Sequence, residues 1–278
     1  MEPIDELLTR WRDDLASWAV PPEILAAAEQ SPWGLPRPLF ERRARAQLTA
    51  PSGVSYRTAL AALAVPGEVL DVGAGAGAAG LALAARTRTL TAVDADPAML
   101  ALLETLAGTA GVPVRLVPGR WPDVAASVPP ADVVVCHHVL YNVADLGPFL
   151  AELTGHARRL VVAELPPRHP MAPLNPLWLA LHGVVRPRRP GVEDVVAVLA
   201  AMGYPVTVRR WRRPADTGAD PDELLATTAA RLCLPAHRVP ELAALLAAGG
   251  TGTGLDGAAG DPRSGRDVVT LSWPGTAG

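Results

Sequence analysis

Residues 69–80 read VLDVGAGAGAAG, and this stretch decides the fold. A short apolar run contains an acid, Asp71, and glycines follow at alternate positions, Gly73, Gly75 and Gly77. Glycine adopts backbone conformations that other residues avoid, so the chain can turn tightly there and bring its N–H groups close to a ligand. A helix that begins just after such a turn points further N–H groups at the same ligand. The pattern predicts a strand, a ligand-binding turn and a helix in succession.

The chain beyond this stretch alternates short apolar runs with helical stretches, which is typical of a parallel sheet built from βα units. This periodicity predicts five strands, at 67–73, 90–95, 114–119, 131–137 and 158–165. Helices are predicted between them, at 81–88, 97–106 and 146–157. Two later strands, at 206–213 and 267–275, are predicted to pair as an antiparallel edge. The predicted fold class is therefore α/β, with a doubly wound, mostly parallel, seven-stranded sheet.

The regions outside the βα units predict the domain organisation. Residues 1–65 have helical apolar spacing interrupted by prolines, which predicts an N-terminal helical cap. Residues 66–278 form the ligand-binding domain. Residues 166–190 follow the fifth strand, where the carboxyl ends of strands open onto the ligand crevice, so this irregular insertion is predicted to cover the substrate. The Gly-rich stretch at 249–265 is predicted to be a flexible excursion.

Composition excludes several classes of chemistry. All 25 basic residues are Arg, so the chain has no lysine for a Schiff base, for a pyridoxal phosphate anchor or for a Walker-type phosphate loop. The net charge of −3 gives no electrostatic footprint for nucleic acid as a whole. Nucleic acid is therefore disfavoured as a partner.

The two cysteines and the N-terminus indicate the compartment. Cys136 and Cys233 lie in different predicted elements and have no CxxC or Cys/His ligand spacing, which favours two reduced thiols over a disulfide or a zinc site. No other metal-ligand cluster is visible. The first residues are acidic and amphipathic rather than a signal peptide, and no apolar run is long enough to span a membrane. These features predict a cytoplasmic protein.

The string VLDVGAGAGAAG resembles the first motif of the class I, Rossmann-like S-adenosylmethionine (SAM) dependent methyltransferase superfamily. The resemblance covers about residues 55–165. It implies SAM as cofactor, S-adenosylhomocysteine as product, and methyl transfer as the activity. In that superfamily the glycine loop wraps the methionine part of SAM, and the strand acid supports it, often through water. The resemblance therefore implies four cofactor-binding residues, Asp71, Gly73, Ala74 and Gly75.

The second and third strands carry the rest of the implied cofactor site. The second strand ends in Asp94 within TAVDADPAML, and the superfamily's acid at this place accepts both ribose hydroxyls, with Ala95 beside it. After the third strand the superfamily commonly has Gly-Asp, which binds the adenine amino group, whereas this chain has Gly119, Arg120 and Trp121. Arginine has no acceptor. The adenine is therefore expected to meet the backbone or to stack on a side chain of Arg120 or Trp121.

A dinucleotide site is the rival interpretation of the same loop. Gly75, Gly77 and Gly80 spell GxGxxG, and Asp94 lies near the distance expected for a ribose-binding acid. A lone GxGxxG is a weak signal. The position of Asp71 within the strand and the VDADPAML segment favour SAM over NAD(P). A bland interpretation also stands, in which the glycines only permit close packing of helix and strand.

The candidate catalytic residues follow the fourth strand, ADVVVCHH. His137 lies at the crevice edge and is a candidate cofactor contact, while His138 and Tyr141 are candidate catalytic residues. Methyl transfer needs two ligands held in line, and a histidine base helps if the acceptor must lose a proton. Glu164, at the end of the fifth strand, could bind an amine or orient a histidine. The structural interpretation is instead that His138 caps a helix and Tyr141 packs against the insertion.

The insertion after the fifth strand concentrates cationic and histidine side chains, at His169, His182, Arg168, Arg186, Arg188 and Arg189. They could form a lid that holds an anionic or carboxylate-bearing acceptor. A plainer interpretation is that an exposed loop must carry some charge, and arginine is the only cation this chain uses. By position alone, Trp33 and Trp178 are candidates for an apolar acceptor pocket.

The function predicted from these residues is methylation of an oxygen, nitrogen or carbon atom of a small molecule, in specialised metabolism. An RNA or protein methyltransferase is a second hypothesis, and it requires Arg42, Arg43 and Arg45 to merge with the arginines of 186–189 into one basic surface. A SAM-binding protein that does not methylate is a third hypothesis, and an NAD(P)-dependent oxidoreductase is a fourth.

Overall fold

The seven strands of the sheet are the frame on which the site is built. We obtained a computed structural model, which describes residues 2–34, 36–63, 65–214, 220–248 and 265–278. The predicted Gly-rich excursion thus lies, apart from its last residue, outside the described part. The strands are β1 (Gly67–Val72), β2 (Thr87–Asp94), β3 (Val114–Pro118), β4 (Ala131–His137), β5 (Ala157–Leu165), β6 (Thr207–Arg213) and β7 (Arg266–Pro274).

The strand order is β3-β2-β1-β4-β5-β7-β6. The chain adds strands outward on one side of β1 and then on the other, so the topological switch point lies between β1 and β4. Strands β1 to β5 pair in parallel, and β7 runs antiparallel between β5 and β6. The predicted α/β class and the antiparallel pairing of the last two strands are confirmed. In a doubly wound sheet the ligand crevice opens at the carboxyl ends of the strands on either side of such a switch point.

The central strands are buried on both faces, as a parallel sheet between two layers of helices requires. β4, for example, is almost wholly buried from Val133 to Cys136. The predicted helix at 81–88 is replaced by a 3₁₀ helix, Leu81–Arg86, and β2 begins already at Thr87. The physical reason is pairing: Thr87 joins β1 opposite Gly67, which removes it from the helix.

The α-helices of the described residues are α1 (Ile4–Ala16), α2 (Pro22–Ala26), α3 (Arg37–Thr49), α4 (Val54–Ala62), α5 (Pro97–Ala110), α6 (Leu146–His156), α7 (Asn175–His182), α8 (Val192–Ala201), α9 (Pro221–Arg231) and α10 (Val239–Ala248). They cover both faces of the sheet. Helices α3, α4 and α5 share one core cluster through Ala44, Ala59 and Leu103, while α1, α6 and α8 share the other. None of the described helices has the length and apolar character needed to cross a bilayer.

A third apolar cluster lies apart from the two faces of the sheet, and we call it the cap cluster. It gathers residues from the segment after α1, from the insertion around α7 and from α9 and α10. Its buried members are Trp18, Val20, Met171, Leu174, Leu177, Trp178, Leu181, Ala229, Leu232, Cys233, Leu234 and Leu242. Three stretches distant in sequence therefore close over one another beside the ends of β5 and β6.

Candidate functional site

The loop after β1 is shaped by its glycines. Gly73, Gly75 and Gly77 have φ angles of 70°, 51° and 88°, in the left-handed region that favours glycine. A Cβ atom at Gly73 would lie 2.3 Å from Cγ2 of Val139, so a side chain there would collide with the segment after β4. A Cβ atom at Gly75 would meet only Phe40, at 3.7 Å. The absence of a side chain at Gly73 lets the loop pack closely against Val139, and the space around Gly75 is left open.

Asp94 lies at the carboxyl end of β2 and reaches across to this loop. Its Oδ2 accepts the backbone N–H of Gly75 at 2.7 Å, and its Oδ1 accepts that of Asp96 at 2.9 Å. Each carboxylate oxygen has a second lone pair, so both can still accept a hydrogen bond from a ligand. The side chain is thereby held beside the glycine loop with acceptor capacity to spare.

Asp71 is buried within β1 and makes one backbone hydrogen bond. Only 1% of its surface is exposed, and its Oδ2 accepts the N–H of Gly80 at 2.8 Å. Burial raises the pKa of Asp71 to about 7, the Gly80 hydrogen bond opposes this shift, and the nearby charge of Asp94 adds to it. A carboxylate that is costly to ionise in the folded protein is well placed to meet a positively charged ligand.

We expect Asp71→Asn to stabilise the ligand-free protein at alkaline pH. Because the folded-state pKa is raised above the ordinary value of 3.8, the stabilising contribution of Asp71 is complete below that value and is lost as pH rises through about 7. An asparagine oxygen can still accept from Gly80, but the buried charge is gone. Urea unfolding at pH 8 should show a gain of up to about 4 kcal/mol, with little change at pH 4. A loss of stability at pH 8 would contradict this account.

The turn after β3 differs from what its sequence led us to expect. Arg120 is exposed, but Trp121 is buried: its Nε1 donates to the carbonyl oxygen of Phe149 at 3.4 Å, and its ring meets His156 edge-on at 4.8 Å. The Trp121 ring thus packs against α6, so the predicted stacking on a ligand finds no support in this arrangement. The backbone of Arg120 and Trp121 stays at the crevice edge, beside Asp94, whose carbonyl oxygen accepts the N–H of Gly119 at 2.9 Å.

His137 and His138 lie on either side of Glu164 at the ends of β4 and β5. His137 pairs with Glu164 in the sheet register, and its Nε2 is buried without a hydrogen-bond partner. Burial lowers the pKa of His137 to about 4, so its ring is neutral at neutral pH. His138 has a φ angle of 62°, which is unusual for a residue with a side chain. Its N–H donates to the Glu164 carbonyl at 2.6 Å, and its Nε2 lies 3.1 Å from Glu164 Oε1.

Arg213, the last residue of β6, completes this group. Its Nη2 pairs with Glu164 Oε1, and its guanidinium lies 5.0 Å from the ring centre of Trp211. Burial alone would raise the pKa of Glu164, but the two histidines and Arg213 together hold it well below its usual range. Desolvation also lowers the pKa of His138, so both imidazoles are neutral at neutral pH, and the hydrogen bond from His138 and the charge of Arg213 keep the pKa of Glu164 low. Glu164 is therefore ionised.

Tyr141 is held by packing rather than turned towards Glu164. Its ring stacks on Trp11 at 5.9 Å and meets His169 edge-on at 5.6 Å. Its hydroxyl donates to the carbonyl oxygen of Pro166 at 3.0 Å, and burial raises its pKa. The hydroxyl is thus committed to the backbone just beyond β5, and Tyr141 ties the segment after β4 to the start of the insertion.

Most of the cationic residues predicted to form a lid are used within the protein. Arg186 donates to the carbonyl oxygens of Trp18 and Ala19 at 2.5 and 2.9 Å. Arg189 pairs with Asp14 at 3.0 Å and also with Asp194. His182 contacts the Leu232 carbonyl at 2.7 Å. Arg168 and Arg188 are exposed.

The two candidate pocket tryptophans separate in the structure. Trp178 is buried in the cap cluster beneath the guanidinium of Arg186, at 4.9 Å, and Trp33 is 53% exposed. Trp178 therefore supports the cap cluster instead of lining an open pocket. Trp178 is buried because it packs among the apolar residues of the cap cluster.

The sequence interpretation missed Arg213. The signal was available, because Arg213 is a polar residue at the end of a predicted strand, as Asp94 and Glu164 are. Its partner could not be predicted from the sequence, because Glu164 is 49 residues away and β7 lies between β5 and β6 in the sheet.

Comparison with known proteins identifies the fold family. Residues 69–159 match a family model described as "Methyltransferase domain". This chain carries a class I SAM-dependent methyltransferase domain. The match begins in β1, includes the glycine loop, Asp94 and His138, and ends at the start of β5, before Glu164. The match favours the methyltransferase interpretation over the dinucleotide one, and SAM is the cofactor of this domain.

Solved structures share the fold of this methyltransferase. The YcgJ protein from Bacillus subtilis is 19% identical, with a TM-score of 0.52 over 84% of this chain and 100% of that one. A cyclopropane-fatty-acyl-phospholipid synthase-like protein from Lactobacillus casei is 17% identical, with a TM-score of 0.51 over 91% and 97%. No curated protein matches the sequence.

The residues at the crevice fit the cofactor. Asp94 keeps free lone pairs beside the loop, Gly75 leaves space, and the buried Nε2 of His137 has no partner within the described residues. A polar atom buried without a partner costs free energy unless a ligand satisfies it. These three features lie at the carboxyl ends of β1, β2 and β4, next to the topological switch point between β1 and β4.

Proposed function

We propose that the methyltransferase acts on a small molecule in specialised metabolism and that His138 removes a proton from the acceptor atom. The observation that carries the proposal is the contact of 3.1 Å between His138 Nε2 and Glu164 Oε1 at the carboxyl edge of the sheet. This edge also carries Asp71, Asp94 and the glycine loop. A base and a cofactor site therefore share one crevice.

The contact with Glu164 selects the tautomer of His138. An ionised carboxylate only accepts hydrogen bonds, so Nε2 carries the hydrogen and Nδ1 keeps its lone pair. This is the arrangement by which an acid orients a histidine base in other enzymes. The side chain of His138 is 37% exposed, so a ligand can reach it. Nδ1 is the atom that we assign as the base.

The proposed methyl transfer needs only SAM, the acceptor and His138, and no further reactant. Bound SAM supplies an electrophilic methyl group attached to its sulfonium. With a hydroxyl as acceptor, the methyl group would pass from sulfur to that oxygen, and Nδ1 of His138 would take the hydroxyl proton. Glu164, held by Arg213, stabilises the imidazolium that results. Asp94 and His137 are assigned to hold the cofactor, and Tyr141 to position the insertion.

The domain organisation supports a small acceptor. We assign the cap cluster and the 166–190 insertion to covering the acceptor, since both lie where β5 and β6 end. Several of the arginines that would have to form a basic surface for an RNA or acidic-protein substrate are paired with acids or buried. Arg42 pairs with Glu223 at 2.9 Å, Arg45 pairs with Glu41 at 2.7 Å, and Arg186 is buried. These arginines are neutralised or covered, which favours the small molecule.

A labelling experiment tests the proposal. Purified protein is incubated with SAM labelled in its methyl group, in separate reactions with hydroxylated small molecules, total RNA and a protein extract. We expect label in the small-molecule fraction, and the His138→Ala variant should lose it. Label in RNA or protein alone would overturn the acceptor class. Binding of S-adenosylhomocysteine with no transfer to any fraction would favour a SAM-binding protein that does not methylate.

A further inference from the structure

The indole of Trp211, in β6, is held in place by the start of α4 and by β7. Its Nε1 donates to Oγ1 of Thr270 at 3.0 Å, and this oxygen lies 2.7 Å from Oγ of Ser55 in α4. Ser55 and Thr270 are each 1% exposed. A Cβ atom at Gly53 would lie 2.8 Å from Cη2 of Trp211, so the chain entering α4 packs closely on the indole. The ring is therefore fixed both at its nitrogen and on its six-membered ring.

The guanidinium of Arg213 lies over the same indole. Its Cζ is 5.0 Å from the ring centre, and its Nη2 pairs with Oε1 of Glu164. The Nε of Arg213 is buried without a hydrogen-bond partner among the described residues. The face of an aromatic ring attracts a cation and holds it without a hydrogen bond. The indole and Glu164 together orient this side chain.

The pairing of β7 shows why Arg213 needs such support. Thr270 stands opposite Glu164 of β5, whereas Arg213 stands opposite Arg266, beyond Thr270 along the same strand. The side chain of Arg213 must therefore reach back along the sheet to meet Glu164. Like charges directly opposite one another on neighbouring strands also repel. Trp211 lies two residues before Arg213, on the same face of β6, and supplies a surface for that path.

Arg213 and His138 contact the same oxygen atom. Oε1 of Glu164 pairs with Nη2 of Arg213 and lies 3.1 Å from Nε2 of His138. The guanidinium therefore offsets part of the negative charge that His138 meets, and it limits how far the carboxylate can turn. Burial lowers the pKa of His138, the carboxylate opposes this shift, and the charges of Arg266 and Arg213 add to it. His137 of β4, opposite Glu164 in the register, is a further ionisable side chain beside this pair.

We propose that Trp211 is a positioning residue for the proposed base: it keeps the guanidinium of Arg213 on Glu164, which in turn orients His138. The inference rests on the function proposed above and names how the geometry of that site is maintained. The contacts of the indole connect α4, in the N-terminal cap, with the crevice at the carboxyl edge of the sheet.

Titration of the His138 ring by NMR tests the proposal without any methyl transfer. The protein carries isotope-labelled histidine, and His138→Ala identifies the signal. In Trp211→Leu the guanidinium should leave Glu164, so the midpoint should rise by at least about half a pH unit. Arg213→Met should raise it in the same way, and Trp211→Phe, which keeps an aromatic face, should raise it less. Val208→Ala alters an exposed side chain of the same strand and should leave the midpoint unchanged.

A double variant and thermal unfolding separate positioning from a structural role. If Trp211 acts through Arg213, adding Trp211→Leu to Arg213→Met should move the midpoint no further than Arg213→Met alone. A lower melting temperature of Trp211→Leu with the wild-type midpoint would make Trp211 structural and overturn the proposal, as would additive shifts. Should Trp211→Leu not fold, an unchanged midpoint in Trp211→Phe would overturn it instead. These measurements involve no acceptor, so a failure of the His138 proposal is seen separately, in the labelling experiment.

Discussion

Replacing His138 with alanine is expected to lower kcat by about two to four orders of magnitude, the usual contribution of a positioned general base. The affinity for S-adenosylhomocysteine should stay the same, because His138 faces Glu164 and not Asp94. Rates are measured with an acceptor from the labelling experiment, and affinity by calorimetry. His237→Ala, an exposed histidine of the C-terminal part, is the control. A rate within about twofold of wild type would show that positioning alone drives the transfer.

The pH dependence of the same reaction reports on Glu164. Desolvation lowers the pKa of His138 below 6.5, and the hydrogen bond to Glu164 opposes the shift. A base must be unprotonated, so kcat should rise with pH through a value below 6.5 and then level off. Glu164→Gln removes the carboxylate that raises this pKa. The midpoint should therefore move to still lower pH, and the plateau should fall because the imidazole is a weaker base. A midpoint that moves upward would contradict the assigned roles.

Replacing Asp94 with alanine should weaken the binding of SAM and S-adenosylhomocysteine by about a hundredfold or more. Each hydrogen bond to a charged group contributes about 1.5 to 3 kcal/mol, and a carboxylate at this place can accept from both ribose hydroxyls. The substitution also releases the N–H groups of Gly75 and Asp96, which loosens the loop. Calorimetry with S-adenosylhomocysteine measures the effect.

Two further variants separate the ligand contact of Asp94 from its role in the loop. Asp94→Asn keeps one acceptor oxygen but loses the charge, so its affinity should fall between those of wild type and Asp94→Ala. Asp123→Asn changes an exposed aspartate after β3 and should bind as wild type does. Equal affinity of Asp94→Ala and wild type would leave Asp94 with a role in the loop alone.

The strands could be predicted because their signals are local. Apolar runs, turn residues and helical spacing recur with each βα unit, and every predicted strand is present within a few residues. The helix at 81–88 was misjudged because sheet pairing at Thr87, a long-range effect, competes with local propensity. Asp71 and Asp94 could be predicted from the family resemblance, and Glu164 from its place at the end of a strand, since the carboxyl ends of parallel strands meet in one crevice.

Trp121 and Tyr141 show where sequence reasoning stopped. Both follow strands that end at the crevice, so position suggested a ligand contact for each. The structure turns Trp121 towards Phe149 and His156 on α6, and Tyr141 towards Trp11 and Pro166. A large aromatic ring goes where it buries most surface, and the surface available depends on elements that the local sequence does not specify.

The amino-acid sequence by itself determined the α/β class and the glycine loop with Asp71 and Asp94 near it, because the signals for each are local in the chain. Only the tertiary structure decided which side chains act together. Glu164 meets Arg213 across 49 residues, and Arg186 meets Ala19 across 167. Contacts of this kind depend on packing between distant segments, and no local pattern of residues records them.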